Sequence, residues 1–226
     1  MLKFKHFLNE GVDDPAIFKA VFLAGGPGSG KSFIVGKTGL PALGMKVVNS
    51  DDAFENAMKK AGKKMTSDEI FSNEGQAIRD RSKKLTGKKQ AMYVSGRLGL
   101  VIDGTGKDPD KIKKQAKALQ DLGYDTMMIL VNTTLQVAID RDKDRDRSLG
   151  KKKVTVYWNT VQKNIGTLQQ IFGKKNFTIV DNTDITKTEK ETTRAYRDVQ
   201  KFLKREPDNS LAKTWIKQER AKKKRT

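Results

Sequence analysis

Apolar residues fall in five short runs along the chain, each closing on a polar residue or a glycine. They are residues 20–24 (AVFLA), 45–49 (MKVVN), 100–103 (LVID), 126–132 (TMMILVN) and 177–181 (FTIVD). The first is apolar throughout, the pattern of a strand buried in a parallel sheet. Between the runs, apolar positions recur at helical spacing over 53–61, 66–85, 90–98, 109–122, 134–146, 155–172 and 187–204. Gly62, Gly99 and Gly123 close three of these segments, Ser67 is placed to cap the second, and Pro207 ends the last. Strands alternating with helices predict a parallel sheet covered on both faces, a three-layer α/β/α fold. Ligands of such sheets bind beyond the carboxyl ends of the strands. Here those ends carry Gly25, Asp51, Asp103, Asn132 and Asp181. The pattern divides the chain into a leader (1–13), one domain (14–205) and a basic tail (206–226). In the leader, Phe4, Phe7 and Leu8 fall at i, i+3 and i+4.

The first strand runs into Gly25, Gly26, Pro27, Gly28, Ser29, Gly30, Lys31 and Ser32, which fits G-x-x-x-x-G-K-[ST] at every fixed position. Glycines let successive N–H groups turn inward around anionic oxygens, and the helix that follows aims its positive end at the same place. Lys31 is the residue to reach the β- and γ-phosphates, and the Ser32 hydroxyl the one to ligate Mg²⁺. A second G-K-T at 36–38 is a decoy. Its pattern needs glycine at position 31, and Gly36 and Gly39 read instead as the end of a short helix before Pro41.

Composition narrows the chemistry. There is no cysteine, and His6 is the only histidine, so thiolate and multi-histidine metal sites are excluded. No apolar run approaches the ~18 residues of a membrane span, and the first eight residues are too short for a secretory signal. These features point to a cytoplasmic protein. The formal net charge of +19 favours polyanions, nucleic acid among them.

Three places beyond the loop offer groups for chemistry. Asp103 follows a hydrophobic strand, where an acid in phosphate-loop proteins holds the Mg²⁺ shell. In NSDD, Asp51 and Asp52 follow the second strand. Asp51 is the candidate to take a proton from an attacking hydroxyl, and Asp52 to cap the next helix. After the fourth strand, Arg141, Arg145 and Arg147 lie in an alternating acid–base stretch that can cover the phosphates. Arg145 or Arg147 would stabilise charge on the transferring group. Arg79, Arg81 and Arg97 lie where an acceptor could dock, and VDNT at 180–183 where a nucleotide base could.

GGPGSGKS, NSDD, VIDGTG and RDKDRDRSLG together resemble phosphate-loop kinases of the polynucleotide kinase and zeta-toxin type, over residues 18–185. The resemblance implies a P-loop NTPase fold with a five-stranded parallel sheet in the order 2-3-1-4-5. It implies Asp51 as general base, Asp103 as the strand acid for Mg²⁺, and Arg145 or Arg147 as lid arginine. The chain also resembles kinase-like proteins of large tailed phages. By likeness to phage internal head proteins, residues 1–10 would be a capsid- or scaffold-targeting leader cut after Leu8-Asn9-Glu10, which would package the protein in the virion. The sequence thus predicts an ATP- and Mg²⁺-dependent phosphotransferase, with a polynucleotide 5′-hydroxyl as the leading acceptor. A nucleotide sugar is the alternative acceptor. A non-enzymatic virion DNA-binding protein on the same scaffold is the second alternative.

Overall fold

A computed structural model of the chain describes residues 12–145 and 148–224. At its centre is a five-stranded sheet. β1 (Lys19–Ala24) pairs in parallel with β3 (Leu100–Asp103) on one side and β4 (Asp125–Asn132) on the other. β2 (Lys46–Val48) adds beyond β3, and β5 (Phe177–Asp181) beyond β4, giving the parallel order β2-β3-β1-β4-β5. The predicted strands and their order are those observed.

Both sheet faces are covered, which is why the inner strands carry no polar alternation. On one face Ala20, Phe22, Ala24, Leu100, Ile102, Met128 and Leu130 pack against helices α5 (Pro109–Asp121), α7 (Lys151–Phe172) and α9 (Ser210–Lys223). On the other, Val21, Leu23, Val101, Met127, Ile129 and Val131 meet α1 (Lys31–Thr38) and α8 (Ile185–Lys204). A smaller cluster of Phe54, Met58 and Ile70 joins α2 (Ser50–Lys60) and α3 (Ser67–Phe71), with Ile78 of α4 (Asn73–Ser95) against it. Ala138 and Ile139 of α6 (Leu135–Lys143) pack on Val154 of α7.

Three expectations change. The helices predicted over 66–85 and 90–98 are cut differently: the break falls at Ser72, and α4 then runs on through Gly87. The Ser72 side chain accepts from Gly75 N–H, and α3 lies so close that a Cβ on Gly75 would sit 2.1 Å from the Glu69 carbonyl oxygen. A lone glycine costs a helix only about 1 kcal/mol, so Gly87 does not end one flanked by good helix formers.

The predicted basic tail is the second change. Residues 210–223 form α9, and its Ala212, Trp215 and Ile216 join the core; the Trp215 ring meets Phe18 edge-on at 5.5 Å. Lysines dominate the composition there and hide the apolar spacing 212, 215, 216.

Third, Val12 is buried and Asp13 pairs with Lys223 at 2.8 Å, so the ordered fold reaches into the segment read as leader. Phe4, Phe7 and Leu8 of the leader and the cut site after Glu10 lie outside the described residues, as does Arg147.

Candidate active site

The phosphate loop leaves β1 at Ala24 and enters α1 at Lys31. Two glycines fix its path. Gly28 and Gly30 have φ of 72° and 85°, the left-handed region that side chains disfavour. A Cβ on Gly28 would lie 2.3 Å from the Ala138 carbonyl oxygen, and one on Gly30 2.1 Å from Asn182 Nδ2. The loop is therefore clamped by α6 on one side and by the residue after β5 on the other.

Asn182 forms that second clamp. It is buried, and its Nδ2 donates to the Ser29 carbonyl at 2.7 Å. Its Oδ1 accepts from Thr188 Oγ1 at 3.0 Å, and its own carbonyl accepts from Arg141 Nη1 at 2.8 Å. The VDNT stretch thus supports the loop through Asn182. A residue 153 positions away from Ser29 leaves no spacing signal in the sequence.

Lys31 folds back so that Nζ donates to the Gly25 carbonyl at 2.9 Å. Burial pulls its ammonium below the ordinary value; Asp103 and Asp51 oppose this, and Arg145 adds to it. These four groups, from the start of α1, the end of β3, the start of α2 and the turn after α6, therefore share one electrostatic neighbourhood. The structure brings together Lys31, Asp51, Asp103 and Arg145.

Asp103 stands next to Leu23 in the β1–β3 register. Its Oδ2 accepts from Asn49 Nδ2 at 3.1 Å, whereas Oδ1 is buried with no hydrogen-bond partner. Burial is the main cause that raises its carboxyl above the ordinary value; Lys31 works against it, and Asp52 and Asp51 add to it. A buried carboxylate oxygen without a donor, beside the loop that carries Ser32, fits a hard cation. Mg²⁺ is characteristically held by one or two protein oxygens, water and substrate phosphates. No cluster of three or more acids or histidines that could hold a metal ion occurs among the described residues.

Asn49, not Asp52, caps α2: its Oδ1 accepts from Asp51 N–H at 2.8 Å. The same side chain thus links the start of α2 to Asp103, and NSDD does more than its two acids suggest. Asp52 instead faces a pocket of about 210 Å³ with Asn49, Asn56, Thr86, Lys89 and Tyr93. Its carboxyl is raised, first by burial and then by Glu55 and Asp51. A second pocket, about 430 Å³, lies between α1 and α8 and is lined by Phe33, Lys37, Asn182, Thr188, Thr192 and Tyr196. Phe33, next to Ser32, is 51% exposed there.

Behind the loop, Trp158 of α7 donates Nε1–H to the Thr133 carbonyl at 2.8 Å, with its Cα 3.9 Å from where a Gly26 Cβ would be. In the last turn of α6, Asp142 is 1% exposed. Its Oδ2 accepts from Ser148 Oγ and from the N–H groups of Leu149 and Gly150 at 2.8–3.0 Å, which sets the chain into α7. Arg79 lies over the Phe54 ring at 4.7 Å. Arg97 lies over Phe18 at 5.7 Å, at the start of β3 and so at the opposite pole.

Residues 14–200 match the zeta toxin family model. The chain belongs to the zeta toxin family. Solved structures with the same fold include one from the PezAT chromosomal toxin–antitoxin system of Streptococcus pneumoniae: 16% identity, TM-score 0.55, 81% of this chain and 86% of that one. A putative kinase from Chloroflexus aurantiacus aligns at 12% identity and TM-score 0.55, over 81% and 97% of the two chains. A chain of the Pnkp1/Rnl/Hen1 RNA repair complex aligns at 18% identity and TM-score 0.51, over 67% and 46%. No curated relative matches by sequence. Membership of the zeta toxin family, with the phosphate loop intact, supports a phosphotransferase of the P-loop kinase type that binds a nucleotide. No helix among the described residues is long and apolar enough to cross a membrane.

Proposed function

We propose that this zeta toxin family member moves the γ-phosphoryl group of ATP to a hydroxyl of a small acceptor, a nucleotide sugar by analogy with its family. The observation that carries the reading is the shared field of Lys31, Asp51, Asp103 and Arg145 at the carboxyl ends of β1 and β3. The loop N–H groups from Gly28 to Ser32 and the Lys31 ammonium hold the phosphates. To do so, Lys31 exchanges its bond to the Gly25 carbonyl for a phosphate oxygen. Ser32 and Asp103 hold Mg²⁺, which when bound neutralises phosphate charge. The base lies between α1 and α8 against Phe33. Asp51 takes the proton of the acceptor hydroxyl as its oxygen bonds to the γ-phosphorus and the bond to ADP breaks. Arg145 offsets charge on the three equatorial oxygens, and Asp52 orients the acceptor in its pocket.

The sequence put a polynucleotide 5′-hydroxyl first, on net charge. That acceptor is the second reading, favoured by the +19 charge. The pocket of about 210 Å³ beside Asp52 suits a compact group better than a strand.

The test is γ-labelled ATP and Mg²⁺ with nucleotide sugars, nucleosides and 5′-hydroxyl oligonucleotides. Label is expected on a nucleotide sugar, lost in Lys31→Ala. In Asp51→Asn, transfer falls by about 10²-fold or more with nucleotide affinity kept, the size of a lost general base. Label on oligonucleotides alone establishes the second reading. Full transfer by Lys31→Ala overturns both.

A further inference from the structure

A pocket of about 630 Å³ opens at the amino-terminal pole of the sheet, where Lys19 begins β1. The six residues of β1 at about 3.3 Å each place it roughly 20 Å from the phosphate loop. Its volume lies in the range of small-molecule sites, ~300–1,000 Å³. Val12, Ile17, Leu203 and Ile216 contribute an aliphatic floor. Along the rim, Lys213, Lys217, Arg220 and Lys224 recur at i, i+4, i+7 and i+11 of the sequence around α9, so they form one stripe, and Lys204 closes it from the end of α8.

The charges of this pocket are out of balance. Its lining holds seven cations (those five with Lys19 and Arg205) against the acids Asp13, Asp14 and Glu206. Lys19 is committed to Asp125 at 2.7 Å and Arg220 to Asp13 at 3.6 Å. Lys204, Lys213, Lys217 and Lys224 have no ion-pair partner among the described residues. Arg205 Nε is buried without a hydrogen-bond acceptor, its nearest carboxylate, on Asp208, standing 3.6 Å away.

Two features choose among anions. Single-stranded nucleic acid sites combine cations with aromatic platforms, and no lining residue here is aromatic. A phosphate backbone also has no use for an aliphatic floor. We propose that this pocket is a second binding site, for a small amphiphilic organic anion. Its aliphatic body lies on Val12, Ile17, Leu203 and Ile216, and its acid head lies among Lys213, Lys217 and Lys204.

The experiment is titration calorimetry of the full chain at low salt with octanoate and decanoate. About 0.8 kcal/mol per buried CH₂ predicts that decanoate binds roughly tenfold tighter than octanoate. Lys213→Glu/Lys217→Glu should weaken decanoate by tenfold or more. Lys113→Glu/Lys114→Glu on α5 should leave it unchanged, and ATP affinity should hold in both. If the first pair unfolds the chain, Lys204→Glu probes the same rim from α8. Equal affinity for both chain lengths, equal loss in the α5 control, or no binding overturns the proposal. So does a single-stranded oligonucleotide that displaces decanoate and depends on the same lysines, which would make the pole a nucleic-acid surface.

Discussion

Asp103 has one oxygen on Asn49 and the other buried without a donor. Its raised carboxyl value has a consequence for stability. A carboxyl raised in the folded state binds its proton more tightly there than in the unfolded chain. Its contribution is therefore greatest at low pH and is lost as pH rises from the unfolded value, near 3.9, through the folded one. At neutral pH the Mg²⁺-free protein keeps a poorly compensated buried carboxylate. Asp103→Asn removes that charge and keeps an oxygen for Asn49. The variant should melt higher than wild type at pH 7 without Mg²⁺, by about 2–4 °C if the gain is 1 kcal/mol. The difference should shrink toward pH 3, and Mg²⁺-dependent ATP binding should be lost. Thermal scans at the two pH values check this; equal melting at pH 7 counts against a burial penalty. Asp103 was legible in the sequence because it ends an apolar run. Asn49 was not, because asparagine beside two acids draws no notice until a distance shows which group it touches.

At the level of elements, the loop between β1 and α1 is read from sequence completely, since its signal is contiguous. Its supports are not, since α6 and the residue after β5 reach it only by folding. Gly30→Ala tests the clamp. The new methyl meets Asn182 Nδ2 at 2.1 Å with φ at 85°, so the loop must shift. The expected cost is roughly 1–3 kcal/mol of stability, with ATP affinity reduced. Asn182→Ala instead leaves the Ser29 carbonyl without its side-chain donor, at about 1–3 kcal/mol, and should weaken ATP binding although Asn182 is not assigned to the phosphates. Urea unfolding and nucleotide titration measure both. Wild-type ATP affinity in Asn182→Ala would remove the clamp from the account of the site. The same scale explains the misplaced helix ends. The break at Ser72 answers to α3 packing on α4, a tertiary contact, and the local pattern around Gly87 carries no trace of it.

For the whole molecule, the strand order and the site at the carboxyl pole follow from alternation and one motif, whereas the role of the last segment does not. Read by charge, residues 206–226 are a tail; by contact, α9 closes one face of the sheet, with Trp215 on Phe18 and Ala212 fully buried. The two tryptophans lie toward opposite poles, Trp158 against Thr133 behind the phosphate loop and Trp215 beside the start of β1. Trp158→Phe leaves Trp215 as the sole reporter on α9. Because α9 shares its core with β1, β3 and β4, the fluorescence transition of Trp215 in urea should coincide with loss of helical circular dichroism. Trp215→Ala should lower the midpoint by the equivalent of about 2–3 kcal/mol, at or below the low end for fully buried aromatics, because the ring is only partly buried. A Trp215 transition at clearly lower urea, with the helical signal largely kept, would show α9 to unfold as a separate unit. The pocket at its foot would then belong to an appendage of the kinase fold and would vanish under conditions that leave the phosphate loop intact.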